Sequence, residues 1–189
     1  MSTHTIVALV ENRPGVLNRI ASKWRQRGFN IESLAVGHSE VAGLSRMTFT
    51  VDGTTTDVDQ VSKQMYKIVE VVKVSDLTHH EMVHRELSLV KVSASPEQRR
   101  AIIEIVDIFR AKIVDVSPES LIIEVTGTEE KVDAILDMLR PYGIKELVRT
   151  GRVAMTRGSA APMSIDGGKG EEHRYRPAGE GKPKVGSLL

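Results

Sequence analysis

Residues 5–20 read TIVALVENRPGVLNRI, and they contain the strand-to-helix junction from which the rest of the fold can be traced. The run from Thr5 to Val10 is typical of a buried strand. After Arg13-Pro14-Gly15 the apolar residues follow a helical spacing, at Val16, Leu17, Ile20, Ala21 and Trp24. We predict that Pro14 lies in the first helical turn, because its fixed φ is helical and its missing N–H has no partner there.

The junction also has the composition of a site for a small anion. Asn12 or Arg13 then lies in the cap region, and Asn is among the residues that favour it. Gly15 has no Cβ, so the first amides of the helix stay accessible, and the helix dipole favours a bound carboxylate. Asn12 offers a donor and an acceptor beside them. The alternative is that these residues serve turn geometry alone, and the short motif by itself favours this alternative.

The same order of strands and helices occurs twice along the chain. In the first half, strands are predicted at 5–10, 31–36, 44–51 and 69–77, and helices at 14–27 and 57–67, with Gly28 ending the first helix. In the second half, strands are predicted at 85–93, 112–116, 121–125 and 144–153, and helices begin at Ser95-Pro96-Glu97 and at Thr128. In the strand at 85–93, Leu87 and Leu89 are expected to face the core, with Val90 as a further candidate. The helical period predicts buried stripes at Val58, Val61, Met65 and Ile68 in the second helix and at Ile102, Ile105, Val106 and Phe109 in the third. Two successive βαββαβ units indicate an α+β protein with two ferredoxin-like domains.

These units set the predicted domain boundaries. The first domain covers residues 1–78, a short polar linker covers 79–84, and the second domain covers 85–156. Residues 157–189 are rich in Gly, Pro and charged residues and almost lack apolar ones, so we predict a disordered tail.

Composition narrows the classes of function. The 189 residues carry a net charge of +1 and no cysteine. The balanced charge favours neither nucleic acid nor membrane as a partner. No apolar run approaches the roughly 20 residues that span a bilayer, and no signal peptide is recognised. We expect a cytoplasmic protein without disulfides.

Other candidate sites are weaker. His79, His80 and His84 lie close together, but no further ligand set accompanies them, and solvated histidines are the preferred interpretation. No spacing marks a catalytic nucleophile or a phosphate-binding loop, so no catalytic or metal-binding residue is predicted. The order βαββαβ is also that of RNA-recognition domains, which need exposed aromatic residues on their central strands. Here the predicted central strands offer only Phe49.

A wider set of residues resembles a known family. The stretches Asn12-Arg13-Pro14-Gly15-Val16-Leu17, Arg27-Gly28-Phe29-Asn30-Ile31-Glu32-Ser33-Leu34 and Leu44-Ser45-Arg46-Met47-Thr48 resemble an ACT domain. More narrowly they resemble the regulatory small subunits of acetolactate synthase (acetohydroxyacid synthase). The resemblance extends to residues 86–92 and 109–116, and the tail after Arg157 lies outside it.

The resemblance implies a function and a set of binding residues. It implies a protein that is not an enzyme by itself but confers valine feedback inhibition on a large catalytic subunit, a transferase of branched-chain amino acid biosynthesis. Thiamine diphosphate, Mg²⁺ and FAD are then expected in that catalytic partner and no cofactor in this chain. The implied effector-binding residues are Asn12, Gly15, Val16, Leu17, Asn30, Ile31 and Val36. Asn12 and Gly15 would hold the polar end of valine, Asn30 would reach it from a second copy, and Leu17, Ile31 and Val36 would surround its side chain.

Size independently favours a homodimer. A unit of about 75 residues is marginal as a lone core, and pairing through a sheet edge covers backbone groups that would otherwise be free. Two alternatives stay open: an amino-acid-sensing ACT protein that regulates a different partner, and, less favoured, an RNA-binding βαββαβ protein.

Overall fold

The computed structural model describes residues 3–54 and 57–159. Within these residues the chain forms two βαββαβ units, which confirms the predicted α+β class. Each unit is an antiparallel sheet with two helices packed on one face. Of the predicted disordered tail, only residues 157–159 fall within the described residues.

The N-terminal unit contains four strands and two helices: β1 (Thr3–Glu11), α1 (Val16–Gln26), β2 (Ser33–His38), β3 (Leu44–Asp52), α2 (Val58–Met65) and β4 (Val71–Asp76). The strand order is β2-β3-β1-β4, so β2 lies at an edge of the sheet. The central pair, β1 and β3, runs in register from Thr3 opposite Asp52 to Glu11 opposite Leu44.

The C-terminal unit repeats this order with an addition at its end: β5 (Met82–Ser93), α3 (Pro96–Ile108), β6 (Lys112–Ser117), β7 (Ser120–Gly127), α4 (Glu129–Leu139), a 3₁₀ turn (Arg140–Tyr142), β8 (Ile144–Arg149) and β9 (Val153–Thr156). The sheet order is β6-β7-β5-β8, and β9 pairs with the start of β5.

Apolar side chains between sheet and helices form one core in each unit. In the first core the Trp24 ring stacks on Phe49 with 4.7 Å between ring centroids, and both side chains are buried. The predicted helical stripe of Val58, Val61, Met65 and Ile68 is buried in the same core, as the period of 3.6 residues requires. In the second core the predicted stripe of α3 is confirmed by buried Ile102, Ile105 and Val106.

The start of the first helix differs from the prediction. Pro14 is not in the helix, which begins at Val16 with Gly15 as its N-cap. The backbone N–H of Val16 donates to the carbonyl of Arg13, and Gly15 has φ +87° and ψ −10°. These angles are those of the third residue of a type II turn, in which proline favours the second position and glycine the third. The pair Pro14-Gly15 therefore makes a turn before the helix.

The predicted inward face of the strand at 85–93 is wrong for the two leucines, although the further candidate Val90 is buried. Val90 and Val92 face the helices, together with the buried polar residues Glu86 and Ser88, whereas Leu89 is exposed. Partners distant in sequence satisfy the buried polar groups of Glu86 and Ser88. Arg149 pairs with Glu86, and the Ser88 hydroxyl donates to the carbonyl of Val148 at 3.2 Å. Because side chains alternate along a strand, choosing the leucines inverted the face.

Three further boundaries shift. The second strand begins at Ser33, two residues after the predicted start, and β5 begins at Met82, before the predicted Arg85. The single strand predicted at 144–153 is two strands, β8 and β9, separated by residues 150–152. Gly151 lies in this break with φ +78°, a left-handed conformation that suits glycine.

The β5–β9 ribbon, defined as Met82–Arg85 paired with Val153–Thr156, joins the two units. It covers part of the helix-free face of the first sheet, where Val7, Leu9 and Leu77 are buried together with Ala154. The two units therefore share a small apolar contact in addition to their covalent connection.

Candidate functional site

The start of helix α1 carries hydrogen-bond donors that the chain itself does not use. No side chain caps the helix. In the part of the chain that the structure describes, the N–H groups of Gly15, Leu17 and Asn18 have no backbone or side-chain acceptor. Helix geometry explains this, because the first amides of an α-helix lack a carbonyl one turn earlier.

The charge pattern at this helix start is also distinctive. Helices α2, α3 and α4 each carry an acidic residue in the first turn: Asp59 in α2, Glu97 in α3, and Glu129 with Glu130 in α4. Of the four α-helices in the described ranges, only α1 has none. The positive end of its dipole is therefore not compensated by a first-turn carboxylate and favours a bound anion.

Gly15 leaves physical room for a ligand. A Cβ placed on Gly15 would meet no atom within 4 Å, and both Gly15 and Asn12 are exposed. Asn12 does not cap the helix as predicted. Its backbone N–H donates instead to the carbonyl of Gly43 at 2.8 Å. This hydrogen bond connects the segment between β1 and α1 to the turn between β2 and β3. The sequence predicts a turn over residues 37–43 but not its contact with the start of α1; Gly43 has φ +81°, a left-handed conformation that suits glycine.

Two of the predicted apolar residues are accessible at the same end of the unit. Leu17, in the first turn of α1, is 41% exposed, and Val36, near the end of β2, is 50% exposed. Val36 pairs with the core residue Met47 and therefore projects from the helix side of the sheet edge. Val16 is placed differently, because its side chain is buried in the core and only its backbone is near the helix start.

Asn30 and Ile31 lie at the other end of the same unit. They precede Ser33, which is opposite Thr50, and Thr50 is in turn opposite Thr5. Asn12 follows Glu11, six residues further along the central strand, so the two ends of the sheet are about 20 Å apart. Asn30 is exposed, whereas Ile31 packs partly against the core. A single chain therefore does not bring all the predicted effector residues together.

A groove of about 360 Å³ lies elsewhere, on the helix-free side of the sheet edge. It runs between β2 and the β5–β9 ribbon, and Val36 is the one predicted effector residue at its border, although the Val36 side chain projects to the opposite face of the sheet. Arg46 and Arg85 also line this groove. It does not include the start of α1.

The structure also bears on the other candidate sites. Phe49 is buried against Trp24, so it offers no ring on which an RNA base would stack. In residues 3–54 and 57–159, no three His, Cys, Asp or Glu side chains are grouped so as to hold a metal ion. None of the helices in these ranges is long and apolar enough to cross a membrane.

Comparison with known proteins covers both units. Residues 6–73 match the family described as "AHAS small subunit-like ACT domain", and residues 85–158 match that described as "Small subunit of acetolactate synthase". The probable acetolactate synthase small subunit of Archaeoglobus fulgidus is 58% identical over 156 residues, 82% of this chain and 98% of that protein. The acetolactate synthase small subunit of Bacillus subtilis is 48% identical over 161 residues, 84% of this chain and 93% of that protein.

A solved structure agrees with these sequence matches. The crystal structure of the acetolactate synthase small subunit from Thermotoga maritima superposes with a TM-score of 0.78 at 44% sequence identity, covering 85% of this chain and 100% of that one. The chain therefore belongs to the family of acetolactate synthase small subunits, proteins of branched-chain amino acid biosynthesis, and its N-terminal unit is an ACT domain.

Proposed function

We propose that this chain is the non-catalytic, regulatory subunit of an acetolactate synthase and that it makes a large catalytic subunit sensitive to valine. Family membership supports the assignment to this enzyme, and the exposed start of α1 supports the binding of an amino acid. Thiamine diphosphate, Mg²⁺ and FAD belong to the catalytic partner in this proposal.

The unused donors at the start of α1 carry the proposal. The valine carboxylate accepts hydrogen bonds from the N–H groups of Gly15, Leu17 and Asn18, which have no acceptor within the described structure. The side-chain amide oxygen of Asn12 accepts from the valine ammonium. Hydrogen bonds to charged groups contribute about 1.5–3 kcal/mol each, which is enough to fix the orientation of a small ligand.

A two-fold pairing of β2 edges completes the site. If β2 pairs antiparallel with β2 of a second copy, the end of one strand lies beside the start of the other. Asn30 of the second copy then approaches Asn12 and Gly15 of the first, although the two ends are about 20 Å apart within one chain. Ile31 of the second copy joins Leu17 and Val36 around the isopropyl group.

A ligand bound across this seam acts on the geometry of the dimer. Valine stabilises the arrangement in which both copies contact it, so its binding energy shifts the relative orientation of the two ACT domains. A coupling of about 1–3 kcal/mol shifts the equilibrium between two states of an attached enzyme by roughly 5- to 150-fold.

Reconstitution with the large subunit of the same organism tests the proposal. Acetolactate formation is measured for the large subunit alone, with this chain, and with this chain plus L-valine. We expect this chain to raise the rate and L-valine to lower it, whereas D-valine, with the same groups in mirror-image arrangement, has little effect. A complex that forms but does not respond to L-valine contradicts the effector assignment. A large subunit whose rate this chain does not change contradicts the regulatory role.

A further inference from the structure

The segment between β8 and β9 passes very close to the ACT domain. Gly151 approaches Ser33, the first residue of β2, so tightly that a Cβ on Gly151 would lie 3.1 Å from the Ser33 Cβ. Thr150 holds the segment from the other side, because its N–H donates to the carbonyl of Leu87 at 3.0 Å. The path of the chain at this point is therefore fixed by both units.

Arg152 extends this contact into both units. Its guanidinium donates to the hydroxyl of Thr5 in β1 at 3.0 Å and to the carboxylate of Glu129 in α4 at 2.7 Å. Its backbone N–H donates to the hydroxyl of Ser33 at 3.4 Å. Ser33 in turn shares a 2.6 Å hydrogen bond with Thr50 of β3. One residue thus connects the start of β2, the centre of the first sheet and the first turn of α4.

The Arg152 side chain is well enclosed for a charged group, at 12% exposed, and Thr5 is fully buried. The charge of Arg152 also affects His84. The pKa of His84 is lowered mainly by burial, and then by the positive charge of Arg152 and, to a smaller extent, of Arg85. The carboxylates of Glu130 and Glu129 oppose this lowering. Directional hydrogen bonds in such a site hold the two units in one relative position better than the small apolar contact alone.

We propose that Arg152 is a positioning residue that couples the effector-binding edge of the ACT domain to helix α4 of the C-terminal unit. The coupling to valine rests on the proposed function, since Ser33 lies two residues after Ile31. A displacement of Ile31 and the start of β2 moves Ser33. Because the Arg152 backbone N–H donates to Ser33 and its guanidinium donates to Glu129, Arg152 and the Glu129 carboxylate move with it. The C-terminal unit then takes a different position relative to the seam.

A double-mutant cycle on the full chain tests the coupling without any ligand. The variants are Glu129→Gln, Arg152→Gln and the pair, and the readout is amide hydrogen exchange by NMR. The reporter is the N–H of Glu32, which donates to the carbonyl of Thr50 at 2.9 Å at the start of β2. We expect Glu129→Gln to speed exchange of this reporter by about threefold or more in wild-type background and to have no added effect in the Arg152→Gln background. The same factor in both backgrounds, or no effect in either, overturns the proposal.

Two matched variants separate coupling from damage to the fold. Arg140→Gln removes a surface arginine that pairs with Asp137 at 2.9 Å, and it should leave the Glu32 reporter unchanged. Arg152→Lys keeps the charge near His84 but cannot donate to two partners with the same geometry. The NMR-determined pKa of His84 should rise in Arg152→Gln and stay near the wild-type value in Arg152→Lys. If Arg152→Gln does not fold, Glu129→Gln in the Arg152→Lys background supplies the cycle: a smaller factor than in the wild-type background is expected, and an equal factor overturns the proposal.

Valine then tests what the coupling transmits. In the wild type we expect L-valine to slow amide exchange in the first turn of α4. Arg152→Gln should bind L-valine with an affinity within about threefold of wild type, but exchange in α4 should then not change. A response of α4 that persists in Arg152→Gln overturns the proposal. A wild type that binds no valine contradicts the proposed effector instead, and the ligand-free cycle still decides whether Arg152 couples the units.

Discussion

The two units use different chemistry at the same structural position, the junction between the first strand and the first helix. In the C-terminal unit, Pro96 is the first residue of α3 and Ser95 is its N-cap. The backbone N–H of Ser95 donates to the side chain of Gln98 at 3.3 Å, and its hydroxyl donates to Glu97 at 2.7 Å, a bond that lowers the pKa of Glu97. In the ACT domain the proline stands one position before the cap, and the cap is glycine.

The difference shows how two units of the same fold can differ at the helix start: in α3 the chain itself satisfies the first amides, and in α1 the first amides stay accessible to a ligand. At α3 the chain supplies a cap and a first-turn carboxylate, which satisfy donors and dipole together. At α1 it supplies neither, and the turn formed by Pro14-Gly15 holds the loop clear of the amides. With glycine as the N-cap the cost in helix stability is only roughly a few tenths of a kcal/mol, and a ligand that binds there recovers part of it.

The largest expected effect comes from placing a negative charge on the open junction. Gly15→Asp should lower valine affinity by about 100-fold or more, because like charges brought together cost several kcal/mol. Asp and Asn both tolerate the left-handed conformation that Gly15 adopts, so Gly15→Asn is a neutral control of the same shape. Calorimetric titration with L-valine measures both. Equal affinities for the two variants would show that the carboxylate of valine does not bind at this helix start.

A smaller effect is expected when α1 is made to resemble α3. Asn18→Glu introduces a first-turn carboxylate that competes for the free amides, and it should weaken valine binding by about tenfold while stabilising the domain by about 0.5 kcal/mol. Asn18→Gln is the uncharged control. Calorimetry and urea unfolding measure the two changes. If Asn18→Glu binds valine as tightly as wild type, then the absence of a first-turn carboxylate in α1 does not matter for valine binding.

Alanine at the two junctions should affect different properties. Ser95→Ala removes a used cap and should reduce the free energy of unfolding by about 1 kcal/mol. Asn12→Ala removes a side chain that caps nothing, so it should leave stability nearly unchanged and weaken valine binding. Urea unfolding of both variants, with and without L-valine, gives the comparison. A loss of stability in Asn12→Ala that equals that in Ser95→Ala would indicate that Asn12 caps α1 after all.

The smallest expected effect is a pH dependence of stability that comes from His84, a β5 residue near the start of α4. Because the folded chain lowers the pKa of His84, the unfolded chain takes up a proton first as pH falls through about 6.5. The resulting stability is present above this pH and is lost on acidification until the folded pKa is passed. Urea unfolding at pH 7.5 and 5.5 should show a steeper loss in wild type than in His84→Gln. An equal loss in both would assign the pH dependence to other groups.

Local patterns were sufficient to predict the order of elements from β1 to β8. The helical period predicted both cores, and Ser95-Pro96 and Thr128 marked the starts of α3 and α4. The glycines that follow helices, Gly28 and Gly143, have positive φ as expected of such positions. These features depend on neighbours within a few residues, which a single sequence shows directly.

Features that depend on distant partners were not predictable in this way. The inward face of β5 is decided by Arg149 and Val148, which satisfy Glu86 and Ser88 from about 60 residues away. The split between β8 and β9 follows from the close approach of Gly151 to Ser33 of the other unit. At the candidate site the residues Asn12 and Gly15 were identified, but their distance from Asn30 within one chain appears only in the strand register.

Subunit mixing tests most directly the claim that two chains share each valine site. One chain carries Gly15→Asp and the other Asn30→Ala, and each homodimer should bind valine weakly. After unfolding and refolding together in equal amounts, half of the dimers are mixed, and each mixed dimer has one site with neither substitution. If two chains share each site, about a quarter of all sites regain wild-type affinity in calorimetric titration. No recovered sites, in a mixture shown by native mass spectrometry to contain the mixed dimer, would contradict it.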